Sequence, residues 1–349
     1  MSTTVSSPRP GKPQPGSATP DTGSAGVSTK PVMWRTPVLL AAFGLIALVF
    51  FGLMAPNQTA SFGISTGEDF FQLPALQVNA FAGGIVLSVL MLGLAAYAAY
   101  LKTQGRPAPG WLTVTFIVLF VAAFLIWVVG GARTPNISLA GLIAGSVTLA
   151  VPLVFGSLSG VLCERVGVVN IAIEGQLLGG AFTAAIVASV TQNPFIGLLA
   201  AAVAGAIVSM VLAVFSIKYL VNQIIVGVVL NVLVSGVTGF LFSTVMQEDS
   251  DQFNSPPGLD IIEIPILSSI PIIGPILFRQ SLVGYLMYVA VLVVWVGLFK
   301  TRWGLRVRAV GEHPQAADTL GINVNATRFW NVTLGGAVAG IGGSFFTLV

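Results

Sequence analysis

Three polar side chains, Asn170, Glu174 and Gln176, stand in a stretch that is otherwise almost continuously apolar. A carboxylate at the centre of a membrane helix costs about 2.5–3.5 kcal/mol, so Glu174 requires a partner, a water-filled cavity or a mechanism that offsets this cost. Asn170 and Glu174 are four residues apart and share one face of a helix. Glycines in the same stretch allow another backbone to approach closely. This combination predicts a polar hinge in a membrane transport protein.

Each of these side chains also has a structural interpretation. Glu174 lines or gates a translocation path; alternatively, it pairs with Arg165 or lies near a helix start, where the helix dipole favours an acid. Asn170 binds substrate, holds a break in a helix or bonds to a neighbouring helix. Gln176 is a further candidate residue of the path. Their spacing leaves these alternatives open.

A second pair of amides, Gln223 and Asn231, is eight residues apart, about two turns along one face of a helix. Both are candidates for substrate contact; the alternative is that they satisfy neighbouring backbone groups. Further along the chain, Gly336 and Gly340 form a G-x-x-x-G pair, which is typical of close helix packing.

The composition indicates that membrane helices position these residues. Hydrophobic residues make up 55% of the 349 residues and charged residues 8%, whereas soluble domains carry about 25% charged residues. Apolar runs of about 18–25 residues are long enough to cross a bilayer core. We predict an all-α, polytopic transmembrane helical bundle with about nine spans. The predicted spans are Pro37–Met54, Val78–Leu101, Trp111–Gly130, Ser138–Leu162, Val168–Val190, Phe195–Ile217, Ile224–Met246, Leu282–Phe299 and Phe329–Val349.

The charge distribution orients this bundle in the cytoplasmic membrane. With the N-terminus in the cytoplasm, 13 of the 15 Lys and Arg residues lie on the cytoplasmic side, as the positive-inside rule requires. The exceptions are Arg133 and Arg279. The acids of the loops around Glu68 and Glu248 lie outside. Residues 162–176 form either a plain loop or a re-entrant segment, and charge counting does not distinguish the two.

The two ends of the chain differ from its middle. Residues 1–36 are rich in Pro, Gly, Ser and Thr, which predicts a disordered cytoplasmic tail ahead of a membrane domain over residues 37–349. Residues 247–281 form a long loop whose proline-interrupted apolar part is expected at the membrane interface or the rim of the bundle. The last apolar run ends in F-F-T-L-V without a polar tail, so we expect a fragment that lacks its true C-terminus.

Residue counts exclude several kinds of site. The chain has one cysteine, Cys163, and one histidine, His313, so an internal disulfide, a CxxC site and a multi-histidine metal site are excluded. No catalytic residues are predicted, and we do not expect an enzyme. The sequence lacks the G-x-x-x-x-G-K-[ST] phosphate loop, so the chain is expected to bind no cofactor and to leave ATP hydrolysis to a partner. The basic residues are not clustered as a nucleic-acid patch.

The longest charged internal loop, residues 300–328, is predicted to be cytoplasmic. His313-Pro314 is a natural helix start, because proline is tolerated in the first turn. Gln315–Leu320 is predicted as a short helix that Gly321 ends. A short helix flanked by arginines suits docking into a groove on another protein. An ordinary solvated connecting helix is the alternative.

Three stretches in combination resemble the permease subunits of ABC importers, in the branch that carries nucleosides and simple sugars with a lipoprotein binding partner. They are G-V-V-N-I-A-I-E-G-Q at Gly167–Gln176, N-Q-I-I-V-G-V-V-L-N at Asn222–Asn231 with G-V-T-G-F-L at Gly236–Leu241, and G-L-R-V-R-A-V-G-E-H-P-Q-A-A-D-T-L-G-I at Gly304–Ile322. The third is similar to the permease coupling loop, although Gln315 stands where the broader motif often has Glu. The resemblance covers residues 138–349, and members usually continue through further spans after Gly335–Gly343.

The resemblance implies a transport subunit powered by separate ATPase subunits that use ATP and Mg²⁺. The other implied partners are a second permease subunit, forming a heterodimer, and a substrate-binding lipoprotein; the cargo is a small neutral nucleoside or sugar. Val169 and Asn222-Gln223 resemble the nucleoside type. The alternatives are a ribose- or galactose-type sugar permease and a self-contained secondary transporter with Glu174 as a proton or cation site. The implied coupling residues are Arg308, Gly311, Glu312, Pro314, Ala316, Ala317 and Gly321.

Overall fold

The computed structural model describes residues 34–64, 70–71, 73–133 and 136–349. The predicted disordered tail lies outside these residues except for its last three positions, and Glu68 lies outside them as well. Within the described chain, nine helices are long and apolar enough to cross a membrane, which confirms the predicted polytopic bundle.

The helices alternate with short connections along the whole described chain. The helices are α1 (Arg35–Ala47), α2 (Ala80–Thr103), α3 (Gly110–Gly130), α4 (Leu139–Glu164), α5 (Ile173–Thr191), α6 (Pro194–Ala213), α7 (Gln223–Leu241), α8 (Ser250–Phe253), α9 (Ile273–Leu277), α10 (Leu282–Lys300), α11 (Arg302–Glu312), α12 (Pro314–Thr319) and α13 (Val324–Leu348). Turns of π-helix extend three of them: Leu48–Leu53 after α1, Val214–Lys218 after α6 and Phe242–Met246 after α7.

Short strands lie in the connections and were not predicted. They are β1 (Thr59–Gly63), β2 (Leu76–Asn79), β3 (Asn136–Ser138), β4 (Ile261–Glu263) and β5 (Arg279–Ser281). β1 lies between β2, to which it is antiparallel, and β3, to which it is parallel. β4 and β5 are antiparallel, with Ile262 opposite Gln280. These ribbons are small additions to a helical protein.

The start of α5 differs from the prediction. The helix begins at Ile173 rather than at Val168. Gly167 has a φ of 81°, in the left-handed region that favours glycine. Asn170 Oδ1 then accepts a hydrogen bond from the amide of Ala172 at 3.1 Å, a local turn that competes with helix formation. The chain therefore stays irregular until Ile173.

The start of α13 also differs, in the opposite sense. The helix begins at Val324 rather than at Phe329, so the end of the predicted 300–328 loop is helical. Asn323 caps the helix, because its Oδ1 accepts a hydrogen bond from the amide of Ala326 at 2.9 Å. Because the first turn of α13 is polar, a prediction based on apolar runs placed the start of the helix too late.

The described chain divides into two compact units. The first comprises the described residues up to Met54 and Gly83–Leu125. In this unit Phe51 lies edge-on to Phe120 and Phe124, with ring centroids 5.3 and 5.8 Å apart. Such edge-on aromatic pairs add stabilisation beyond their buried area.

The second unit contains the rest of the described chain, and α5, α6 and α13 form its centre through glycine contacts. A side chain on Gly340 would overlap the carbonyl of Ala201, and one on Gly336 would overlap the hydroxyl of Ser209. A side chain on Gly180 would overlap the backbone of Gly340. The predicted packing role of the G-x-x-x-G pair is confirmed.

A buried apolar cluster in the second unit joins the helices of the 300–328 region to the membrane helices. Because close-packed interiors transmit displacement, this cluster links α11 and α12 mechanically to α4, α6, α7 and α10. Its members are Leu162, Cys163, Val166, Val168, Ala172, Leu212, Ala213, Val226, Leu230, Val294, Leu298, Val307, Val310, Ala317 and Val332.

Candidate functional site

The chain between α4 and α5 is irregular, and we call Gly167–Ala172 the linker segment. The amide of Val168 donates to the carbonyl of Cys163 at 3.0 Å, which closes the turn after α4. Beyond this turn the segment has no regular helical ladder. In apolar surroundings each of its backbone groups still requires a partner. Side chains of α7 and of Asn170 supply several of these partners.

Gln223 and Asn231 of α7 hold the linker segment and the start of α5. Gln223 Oε1 accepts a hydrogen bond from the amide of Val169 at 3.0 Å. Asn231 Oδ1 accepts from the amide of Gly175 at 2.8 Å, and Asn231 Nδ2 donates to the carbonyl of Ile171 at 2.9 Å. The predicted alternative, that these amides satisfy neighbouring backbone, is confirmed. Their contact with a substrate stays a prediction.

A glycine allows α7 to approach the linker segment this closely. Gly227 lies between Gln223 and Asn231 on the helix, and a Cβ atom there would be 2.7 Å from Cβ of Ile171. The two amides therefore lie on either side of a close contact between the backbone of α7 at Gly227 and Ile171 of the linker segment. We call Gln223, Gly227 and Asn231 the α7 clasp.

Asn170 and Gln176 belong to a buried polar cluster. Asn170 Nδ2 donates to Gln176 Oε1 at 3.0 Å and to Ser159 Oγ at 3.2 Å. Gln176 Nε2 donates to Asn170 Oδ1 at 3.1 Å and to Ser209 Oγ at 2.8 Å. All four side chains are buried. The cluster ties the linker segment to α4, α5 and α6, in agreement with the predicted alternative that Asn170 bonds between helices and holds a break.

Glu174 lies at the surface of the chain in the first turn of α5. This confirms the predicted position near a helix start, where the dipole favours an acid. The predicted alternative of an ion pair with Arg165 is wrong, because the described residues contain no such pair; Arg165 instead lies over the ring of Phe299 at 5.4 Å. No group of three potential metal ligands occurs in the described chain either.

The second part of the site is α11, which the sequence analysis left as loop. Thr301 caps it by accepting a hydrogen bond from the amide of Gly304 at 3.1 Å. Gly304, Val307 and Val310 face inward at a spacing of three residues. At its far end Gly311 lies against the turn before the linker segment, where a side chain would overlap the carbonyl of Arg165.

Two arginines meet at one aromatic ring beside this contact. The guanidinium of Arg308 lies 5.5 Å from the ring centroid of Phe299, and that of Arg165 lies 5.4 Å from it. Both separations are within the range of cation–π attraction. The end of α4, the end of α10 and α11 therefore share one contact.

The short helix α12 begins at Pro314 and ends at Thr319, close to the predicted Gln315–Leu320. Gly321 has a φ of 78°, as expected of a helix stop. The structure separates the two alanines that the sequence grouped, because Ala317 is buried in the apolar cluster and Ala316 is exposed. Glu312 is also exposed.

Sequence reasoning missed several residues of this site. Ser159 and Ser209 are ordinary helix serines in the sequence, and their roles come only from partners far along the chain. Phe299 was counted merely as the end of a span. By contrast, the G-x-x-V-x-x-V spacing of Gly304, Val307 and Val310 is a helical pattern from which α11 could have been predicted.

Comparison of the sequence with known proteins identifies a family that covers this site. The family described as "Branched-chain amino acid transport system / permease component" matches residues 142–349. This match includes the linker segment, the α7 clasp, α11 and α12. No solved structure has significant similarity to the chain.

Individual relatives are similar over the same part of the chain. The nucleoside ABC transporter permease protein NupC of Lactococcus lactis subsp. cremoris is 39% identical over 212 residues, 59% of this chain and 66% of the relative. The guanosine ABC transporter permease protein NupQ of Bacillus subtilis is 37% identical over 218 residues, with the same two shares. A putative glucose ABC transporter permease protein of Haloferax volcanii, TsgC13, is 36% identical over 213 residues, 60% of this chain and 63% of the relative. The matched part spans just under two thirds of the length of these relatives.

Proposed function

The chain belongs to the family of branched-chain amino acid transport system permease components, and from that premise we propose that it is the permease subunit of an ABC importer for nucleosides. Two of the relatives described above are named for nucleosides or guanosine. The observation that carries the proposal is the continuous contact from α11 to the linker segment and on to α7. This contact joins a polar loop region to polar residues inside the bundle.

In this proposal, force from the ATPase subunits acts on α12 and is transmitted to α11. We assign docking of an ATPase subunit to the exposed face of α12, which includes Ala316. Displacement of α12 moves α11 through the buried Ala317, and Gly311 passes the motion to the carbonyl of Arg165. The linker segment then moves against the α7 clasp. ATP and Mg²⁺ are bound by the ATPase subunits and not by this chain.

The polar residues divide into two roles in this proposal. Glu174 is exposed and forms no ion pair among the described residues, and the side-chain amide nitrogen of Gln223 donates no hydrogen bond there. We assign these two groups to the substrate path. Asn170, Gln176 and Asn231 hold the irregular backbone. A neutral nucleoside suits such a path, because it offers hydrogen-bonding edges without a charge that must be desolvated.

The assembly requires further partners. We propose a second permease subunit, a substrate-binding lipoprotein outside the cell and ATPase subunits inside, with the N-terminus of this chain in the cytoplasm. A sugar is the competing cargo, because TsgC13 is named as a putative glucose permease. A self-contained secondary transporter has no comparable support.

Uptake in cells that carry the complete transporter tests the proposal. We expect saturable uptake of labelled guanosine that excess unlabelled nucleosides inhibit and that ATP depletion abolishes. Glucose or ribose should not compete. If only sugars competed, the cargo would be a sugar and not a nucleoside. Uptake that survives ATP depletion but is lost in Glu174→Gln would favour a secondary transporter.

Docking on α12 has its own test. Ala316→Arg places a charge on the exposed face and should prevent co-purification of the ATPase subunit while the permease remains folded. Gln104→Arg introduces the same charge at another exposed position, after α2, and should leave the complex intact. Recovery of the full complex with Ala316→Arg would contradict the docking assignment.

A further inference from the structure

Two cavities lie side by side at the ends of α6 and α13. The first, about 430 Å³, is bounded by the linker segment, the connection before α7 and Arg328. The second, about 580 Å³, lies between the π-helical end of α6 and the first turns of α13. They share Ile217, Leu220 and Asn325 as walls. They therefore adjoin each other, and we call the two lobes together the α6–α13 groove.

The groove carries positive charge that nothing in the described chain neutralises. Arg328 lines the first lobe and Lys218 lines the second, and no acidic residue lines either lobe. Neither cation forms an ion pair within the described residues. Lys218 lies 5.7 Å from the ring centroid of Tyr219, and Arg328 Nε donates to the carbonyl of Val166 at 3.3 Å. Both cations remain able to bind an anion.

The second lobe is otherwise apolar and aromatic. Ala213, Val214 and Ile217 form one wall, and Phe329 and Trp330 form the other. Trp330 is 63% exposed although its ring is large and apolar. Tryptophans in such positions are typical of the membrane–water interface. The predicted orientation puts these helix ends at the cytoplasmic surface, where anionic lipids attract basic segments.

We propose that the α6–α13 groove binds an anionic phospholipid. The phosphate lies between Lys218 and Arg328, and the acyl chains follow the wall formed by Ile217, Phe329 and Trp330. Charge complementarity selects the headgroup, since two cations face the groove without a carboxylate. The apolar wall selects a lipid over a free anion. Basic pockets between membrane helices on the cytoplasmic side bind anionic headgroups in this way.

The groove is connected to the proposed transport path. Arg328 contacts Val166, next to the linker segment, and Gly167 and Gln223 line the first lobe. A headgroup held by Arg328 therefore fixes one side of the linker segment. Lipid dependence of transport rests on the proposed function, whereas lipid binding itself does not.

Binding is measured on the purified full chain in detergent by native mass spectrometry, with phosphatidylglycerol and phosphatidylcholine as probes. We expect phosphatidylglycerol to be retained in preference. Lys218→Gln and Arg328→Gln should each weaken its binding about fivefold, and the double variant more. The control variant Lys102→Gln/Arg106→Gln removes one cation from the last turn of α2 and one from the connection after it, and should bind as the wild type does.

Two further arms identify the ligand and guard against misfolding. Trp330→Ala should weaken phosphatidylglycerol binding, and excess inorganic phosphate should not displace the lipid. Arg328→Lys keeps the charge and should retain binding. Arg328→Gln should elute from size exclusion as the wild type does, which shows that its loss of binding is not a folding defect. Equal retention of both lipids, equal loss in the control variant, or displacement by phosphate alone would each overturn the proposal, and none of these outcomes would bear on nucleoside transport.

Discussion

Helices α13 and α7 belong to the same unit but differ in how extensively they are held in it. In an apolar stretch of 18 residues, 67% of the residues are buried in α13, whereas 17% are buried in α7 with its π-helical extension. α13 contacts α5 and α6 through several glycines whose backbones touch. α7 is joined to the linker segment by the side-chain amides of Gln223 and Asn231 and by a single close approach at Gly227.

This difference separates a scaffold from a moving part. A series of backbone contacts at glycines along one helix leaves no room for sliding, because close-packed surfaces have few alternative arrangements. Side-chain hydrogen bonds to an irregular backbone contribute about 0.5–1.5 kcal/mol each, so they can exchange at modest cost. We therefore expect α5, α6 and α13 to stay together while α7 and the linker segment change their contacts during transport.

The largest effect is expected from filling the scaffold. Gly340→Leu forces a side chain into the carbonyl of Ala201 and should destabilise the fold by about 3 kcal/mol or more, seen as lost folded protein on size exclusion. Gly239→Leu makes the same change in α7, where a Cβ atom would meet nothing within 4 Å. It should stay within about 1 kcal/mol of the wild type. Equal damage by both would remove the distinction.

The next effect concerns the buried polar cluster. Gln176→Leu leaves Asn170 and Ser209 without their amide partner inside the protein, which should lower stability by about 2 kcal/mol, measured as a lower melting temperature. Gln223→Leu removes one hydrogen bond to the amide of Val169 and should cost less than about 1 kcal/mol. A larger loss for Gln223→Leu would mean that the clasp, and not the buried cluster, holds the fold.

The clasp should matter more for transport than for stability. Asn231→Ala removes the bonds to Gly175 and Ile171, worth about 1–2 kcal/mol together. A bias of that size shifts a two-state equilibrium about five- to thirtyfold, so uptake should fall on the order of tenfold while ATP hydrolysis by the partner continues. A parallel loss of hydrolysis and uptake would show that Asn231 does not act in coupling.

The smallest effect is expected at the end of α12. Gly321→Ala puts a side chain on a residue with a φ of 78°, at a cost of about 1 kcal/mol, and nothing within 4 Å would clash with it. Gly321→Asn tolerates that backbone conformation better and should be nearly neutral. Thermal melting of both variants checks this, and identical behaviour would show that backbone strain is not the cause.

The sequence predicted the parts of the protein that depend on local pattern. Apolar length gave nine spans, Pro314 and Gly321 marked the two ends of α12, and Gly336 with Gly340 marked close packing. Each signal is a local pattern, although the glycine pair does not reveal that its partners are Ala201 and Ser209.

What the sequence did not predict depends on distant partners. The side chains of α7 that satisfy part of the linker segment's backbone lie more than fifty positions away along the chain. Ser159 and Ser209 gain their roles from Asn170 and Gln176, and Ala317 differs from Ala316 only through the cluster that covers it. Neither composition nor spacing along one helix contains this information.

The most direct test of the account is accumulation of nucleoside in proteoliposomes. We predict that the chain alone concentrates no guanosine, whereas vesicles that hold the complete transporter concentrate it when ATP and Mg²⁺ are present on the side of α12. Omission of the ATPase subunits or Ala316→Arg should abolish accumulation. Concentrative uptake by the chain alone, without nucleotide, would contradict the central claim that its energy comes from a partner through α12 and α11.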